Sequence, residues 1–306
     1  MHLLLVGCTG FVGRELVPLL LKAGHDLTVV SRKSASSFGK MPLEKNNLTF
    51  LKADPAEAFA WEKAPLLNAL RAADGVVNLA GEPIAEQRWT ANHRKRLEGS
   101  RLVTTMAMVK AMGNLDRPPK VLINASAVGY YGTSPDCHFI EKSLAGADFL
   151  AQLCKRWEEA ASNKPSKTRL VVMRIGIVLE SDGGALGKML PIFRAGFGGP
   201  IGSGLQWMSW IHRRDLCELI KKAIEDKSWV GVFNAVAPNP VSMATFASTL
   251  GKTLGRPSLL PVPGPILKVL LGDGARVVLE GQFVTSEQLK RMKFSFLYSD
   301  LRDALD

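Results

Sequence analysis

The chain has 306 residues, enough for one large domain or two modest ones, and its 46% apolar and 22% charged residues exclude disorder and collagen-like structure. Its longest apolar stretches, such as Leu16–Leu21, fall far short of the ~20 residues that span a bilayer, so no membrane span is expected. The net charge of +11 suits acidic partners or a solvated basic surface. Basic clusters such as Arg94-Lys95-Arg96 are short and lack interleaved aromatics, which speaks against nucleic acid.

In chain order, His2–Val6 reads as an apolar strand closed by Gly7, and Phe11–Ala23 as an amphipathic helix ending at Gly24. Leu27–Val30 and Leu48–Leu51 are further strands, Leu66–Ala73 a short helix, and Gly75–Leu79 a fourth strand. Asn92–Met112 reads as one long helix, followed by a strand over Val121–Asn124. Then come a helix over Ala147–Ala161, a strand over Leu170–Met173 and a helix over Leu216–Ile224, which Asp215 is placed to cap. Apolar strands separated by helices imply an α/β fold, a doubly wound parallel sheet of the Rossmann kind.

After about Glu180 glycines and then prolines accumulate, which implies a smaller, irregular C-terminal lobe over the sheet's carboxyl edge. The expected division is 1–180 plus about 212–240 for the nucleotide-binding domain, with about 181–211 and 241–306 forming the lobe. Trp207 and Trp210 either wall a substrate pocket or fill the lobe interface, and Gly196–Gly204 is either a lid or a plain connector.

Cys8, Cys137, Cys154 and Cys217 are scattered, and so are the five histidines, so neither a disulfide framework nor a metal site is expected. Met1 leads directly into the first strand with no basic leader, which reads as the absence of a signal peptide. A reducing compartment follows: the cytoplasm, or a plastid stroma if a transit peptide has been removed.

Gly7, Gly10 and Gly13 sit between the first strand and the first helix, at the spacing of a dinucleotide-binding turn. Gly7 permits the tight turn, Gly10 lets backbone approach a pyrophosphate, and Gly13 lets the helix pack on the strand. NAD-selective folds end the second strand in a carboxylate; this chain has Ser31-Arg32-Lys33, and a guanidinium can grip a 2′-phosphate. NADP(H) is therefore the expected cofactor.

These glycines combine with three further runs: Asn78–Ile84 (N-L-A-G-E-P-I), Ser126–Gly132 (S-A-V-G-Y-Y-G) and Gly198–Gly204 (G-G-P-I-G-S-G). With Trp210–Leu216 they make the chain resemble the atypical, sugar-epimerase-like short-chain dehydrogenase/reductases, an NAD-dependent epimerase/dehydratase-like group with a short C-terminal domain. The resemblance implies that the pyrophosphate lies on Thr9, Gly10, Phe11 and Val12, with Ser31 and Arg32 on the 2′-phosphate. It also implies that Leu79, Ala80 and Gly81 line the passage to the nicotinamide, and that Arg101 is a further cofactor contact.

Active members of that family use a serine or threonine with a Tyr-x-x-x-Lys pair. Anchoring the helix on Glu158 puts Leu150 at the tyrosine position and Cys154 at the lysine position, with Lys155 rotated about 100° away. Counting back from Gly132, the usual hydroxyl position falls on Ala127, with Ser126 one residue earlier. Ser126, Tyr130 and Tyr131 remain as candidate catalytic groups. Two readings stay open. One is a hydride-transferring oxidoreductase or epimerase acting on a carbonyl or sugar-like small molecule. The other is a catalytically silent NADP(H)-dependent sensor or scaffold that engages a protein partner, which the resemblance links to cell or plastid division.

Overall fold

The computed structural model describes residues 1–32 and 47–306. The first half runs β1 (His2–Val6), α1 (Gly13–Lys22), β2 (Asp26–Ser31), β3 (Leu48–Lys52), α2 (Ala64–Ala72), β4 (Gly75–Asn78), α3 (Ala91–Glu98), α4 (Thr104–Gly113) and β5 (Val121–Ala127). The chain continues through β6 (Ser134–Phe139), α5 (Phe149–Ser162), β7 (Arg169–Ile175), β8 (Ile177–Leu179), α6 (Gly184–Arg194), β9 (Trp207–Met208) and β10 (Trp210–His212). It closes with α7 (Arg213–Glu225), β11 (Gly231–Ala235), β12 (Val241–Ser242), α8 (Met243–Thr253), α9 (Gly264–Leu271), α10 (Arg276–Leu279), β13 (Gln282–Val284), α11 (Glu287–Arg291) and α12 (Leu301–Leu305).

Seven parallel strands form the central sheet in the order β11-β7-β5-β4-β1-β2-β3. The order reverses at β1, so a crevice opens beyond the carboxyl ends of β1 and β4. The expected doubly wound α/β fold is what forms. β1 shows why its run is apolar without alternation. Leu3 and Leu5 enter a core with α1 and α7, while Leu4 and Val6 enter a second core with α2 and α4 on the opposite face. Burying each such side chain stabilises the fold by roughly 1.5–3 kcal/mol.

Two segments depart from the sequence reading in their helices. The helix read as continuous over Asn92–Met112 is interrupted by a π-helical turn at Gly99–Val103, which carries Arg101. That turn buries no residue, so apolar spacing does not mark it, and such turns recur at functional sites. The region after Glu180, read as irregular, contains α6, which buries Leu186, Leu190 and Phe193 on one face despite Gly187 and Pro191. These residues belong to a separate core with α8 and α12.

Asp215 does not cap α7. His212 does so, its Nδ1 accepting the Arg214 N–H at 3.2 Å. The fully buried Asp215 carboxylate accepts the N–H groups of Leu297 (2.7 Å) and Tyr298 (3.0 Å) and so anchors the C-terminal segment. Burial raises its pKa even so. Among the described residues, no helix is long and apolar enough to cross a membrane.

Candidate functional site

The glycine turn is shaped by close approach. Gly7 has φ +77°, and a Cβ there would lie 2.4 Å from the Ala80 nitrogen at the end of β4. A Cβ on Gly13 would lie 1.8 Å from the Cys8 carbonyl oxygen. Gly10 differs, because a Cβ there would meet nothing nearer than the Gly7 oxygen at 3.9 Å. Open space lies in front of Gly10 and, among the described residues, no side chain caps α1, while the Arg14 and Glu15 amides turn back to the Gly10 (3.1 Å) and Val12 (3.2 Å) carbonyls.

The rest of the turn is held from behind. The Phe11 ring lies 4.8 Å beneath the Arg213 guanidinium, and a Cβ on Gly183 would meet that ring at 2.8 Å. Arg213 itself is tied to Asp182 at 2.6 Å. The Val12 carbonyl takes the Cys217 thiol at 3.7 Å, and the Thr9 side chain is half-buried beside them. At the end of β2, Ser31 is buried and Arg32 is exposed. Lys33 lies outside the described residues.

Leu79, Ala80 and Gly81 follow β4. The Asn78 side chain orients this segment: its Oδ1 accepts the Ala80 N–H at 3.2 Å, while its amide donates to Thr105 (2.9 Å) and Asn124 (2.7 Å). Arg101 reaches over from the π-helical turn to donate to the Glu82 carbonyl at 3.1 Å and to the Leu97 carbonyl at 3.2 Å. A Cβ on Gly81 would be 2.9 Å from its guanidinium. Burial lowers the Arg101 pKa, partly offset by Cys154 and Glu82.

Beside this passage a cavity of about 630 Å³ opens above the carboxyl ends of β4, β5 and β7. Ser126, Leu150, Cys154 and Trp157 line it, and Trp207 and the segment around Arg276 close it from the opposite side. Leu150 and Cys154 both face the cavity, while Lys155 points to solvent beside Glu159 at 4.0 Å. Trp210 is buried in the core formed with α6, α8 and α12 and does not line the cavity. Burial pushes the Cys154 thiol up to about 11, against the pull of nearby Arg101.

Ser126 donates its hydroxyl proton to Glu158 at 2.6 Å. The Glu158 carboxylate is forked by Arg174, at 2.9 Å from Nε and 2.8 Å from Nη2. Arg174 also donates to the Tyr131 hydroxyl at 2.9 Å, and that hydroxyl donates to Asn234 at 2.6 Å. The Tyr130 ring lies 3.4 Å below the Arg174 guanidinium. Neither tyrosine lines the cavity, and burial pushes the Tyr131 phenol up to about 12. Of the three candidate catalytic side chains, Ser126 alone faces the cavity. Glu158 and Arg174 complete its network. In the sequence Glu158 is only the anchor of the helix alignment, and no local pattern ties Arg174, on β7, to it.

The profile of the "NAD dependent epimerase/dehydratase family" matches residues 3–235, and that of "Domain of unknown function (DUF1731)" matches 262–306. The chain is 43% identical to "Epimerase family protein SDR39U1 homolog, chloroplastic" of Arabidopsis thaliana, over 98% of this chain and 84% of that protein. It is 37% identical to the human "Epimerase family protein SDR39U1", over 100% of this chain and 98% of that one. A crystal structure of human SDR39U1 (isoform2) with NADPH superposes with a TM-score of 0.88 at 36% identity, covering 100% of this chain and 98% of that one. UDP-glucuronic acid 4-epimerase from Bacillus cereus, in complex with NAD, shares the fold at a TM-score of 0.77 and 17% identity. The chain therefore belongs to the NAD-dependent epimerase/dehydratase family, among the SDR39U1-type epimerase family proteins.

Proposed function

We propose that this chain is an NADP(H)-binding, atypical short-chain dehydrogenase/reductase that holds a small molecule beside the nicotinamide for hydride transfer. The observation that carries the reading is the open face of Gly10 before the uncapped start of α1, set against the tight contacts of Gly7 and Gly13. That shape fits a pyrophosphate lying on Thr9, Gly10, Phe11 and Val12, with backbone amides as donors. Exposed Arg32 beyond β2, with Ser31 beside it, takes the 2′-phosphate, where a carboxylate would repel it. Leu79, Ala80 and Gly81 lead toward the cavity, and Arg101 flanks that passage. The human relative's crystal structure with NADPH supports the same cofactor.

When bound, the nicotinamide supplies a hydride donor or acceptor. The chain's own part is to orient the reacting molecule at Ser126 and to exclude water with Leu150, Cys154 and Trp157.

A second reading, an NADP(H)-dependent sensor or scaffold without turnover, rests on Leu150 and Cys154 occupying the cavity face where a Tyr-x-x-x-Lys pair would stand. Neither side chain transfers a proton near neutrality. Measurable nicotinamide turnover with any carbonyl or alcohol in a panel removes this second reading.

Calorimetric titration with NADPH and NADH tests the cofactor assignment. NADPH is expected to bind at least about tenfold more tightly, and Arg32→Ala should erase most of that margin. Equal affinities in the unaltered protein overturn the role of Arg32.

A further inference from the structure

Among the described residues, the indoles and guanidinium groups that line the cavity make hydrogen bonds within the protein. Trp89, Trp157 and Trp207 all line it, yet each indole N–H points elsewhere: to the Ile84 carbonyl at 2.7 Å, the Thr105 hydroxyl at 2.9 Å and the Pro135 carbonyl at 3.1 Å. The cavity meets these rings through their carbon surfaces. The three arginines in its lining are also engaged. Arg94 bonds Asp273 at 2.5 Å, Arg276 forks Glu280 at 2.9–3.0 Å, and Arg101 donates to the Glu82 and Leu97 carbonyls. Phe149, Leu150, Leu153 and Ile177 add further apolar wall.

A sugar nucleotide entering here would bring hydroxyls and a diphosphate to walls where Arg94 and Arg276 are paired with Asp273 and Glu280 and the indole N–H groups are bonded within the protein. Each buried polar group left without a partner lowers affinity by about tenfold or more. A flat apolar ring system meets only complementary surface.

Ser126 fixes the polar end of the ligand. Both Glu158 oxygens accept from Arg174 and one accepts from Ser126 as well, so the proton between Ser126 and Glu158 is the serine's own. With that proton committed at 2.6 Å, and the Cys154 thiol beside it as a further hydrogen-bond partner, the serine oxygen offers the cavity a lone pair and no donor. The Ser126 hydroxyl therefore selects a partner that carries hydrogen.

From this we infer that the cavity takes a flat, largely apolar ring compound that presents one hydroxyl or N–H to the oxygen of Ser126, and that it does not take sugar nucleotides. The inference rests on the proposed hydride-transfer function only in calling this ligand the substrate. In that setting Ser126 holds the alcohol form of the substrate: as the carbinol hydride leaves, the hydroxyl proton passes to the Ser126 oxygen and the serine's own proton moves to Glu158.

The test uses protein saturated with NADP⁺ and two ring probes of equal shape: indole, which has an N–H, and benzofuran, which has only an oxygen. UDP-glucose is the third probe. Titration followed by ligand-observed NMR should give indole binding about three- to tenfold tighter than benzofuran, the worth of one hydrogen bond. Ser126→Ala should remove that difference while benzofuran binding stays unchanged. UDP-glucose should bind more weakly than either ring compound. Equal affinity of the two ring probes, a preference that survives Ser126→Ala, or UDP-glucose binding ahead of indole would each overturn the inference. A separate titration with NADP⁺ alone reports on the cofactor reading. If NADP⁺ does not bind, that reading fails, and the same three probes are compared on the cofactor-free protein.

Discussion

Arg174 and Glu158 face each other in a two-pronged ion pair, with nitrogen–oxygen distances of 2.9 and 2.8 Å and side chains only 4% and 12% exposed. The pair lies between the candidate cavity and the buried end of the sheet, linking Ser126 on one side to Tyr131 and Asn234 on the other. β5 and β7 run side by side, so Ser126 and Arg174 are register partners, and α5 lays Glu158 across both.

Removing one partner of such a pair strands the other charge away from water. Arg174→Met should lower stability by about 3–5 kcal/mol in urea unfolding. Adding Glu158→Leu should recover part of that loss, because the stranded carboxylate is then gone. A single variant as stable as the parent would contradict the pairing.

Tyr131 gives a pH signature. Burial pushes its phenol up to about 12 from the usual 10.0, so the folded chain keeps this proton after the unfolded chain has released it. The stability involved is complete below pH 10 and drains away as the pH climbs from there to about 12. Across that window the parent protein should lose roughly 2–3 kcal/mol more than Tyr131→Phe. Parallel alkaline unfolding curves would contradict it.

Thiol chemistry separates the four cysteines. Cys8, Cys154 and Cys217 are buried, and burial pushes the first two thiols up to about 12 and about 11 and raises the third as well. Cys137 is exposed. A disulfide reagent at pH 8 should label one thiol quickly in the folded protein and all four in urea. Rapid labelling of Cys154 would reveal a reactive thiolate in the cavity.

Local chemistry made much of this legible in the sequence. The β1 run, the glycine turn and the carboxyl-edge motifs each reside in a few contiguous residues, and a strand with two buried faces has no other way to read. The alignment on Glu158 placed Leu150 and Cys154 on one helical face, and both line the cavity. What stayed hidden depends on distant parts of the chain. Tyr130 and Tyr131 sit at the sheet edge as expected, yet Tyr131 turns to Arg174 and Asn234, partners 43 and 103 residues away. The pairing of β6 with β13 joins segments that no local pattern connects. The π-helical turn under Arg101 and the α6 helix inside a glycine-rich stretch were set by packing that apolar spacing does not record.

The cofactor site is tested most directly by titrating NADPH into Gly10→Ala alongside the parent protein. Among the described residues nothing lies nearer to a methyl group at Gly10 than the Gly7 oxygen at 3.9 Å, so folding should be preserved and the melting temperature should hardly move. The same methyl stands where the pyrophosphate must approach, so NADPH affinity should fall by about tenfold or more. Undiminished NADPH binding by a normally folded Gly10→Ala protein would contradict the placement of the cofactor on this turn.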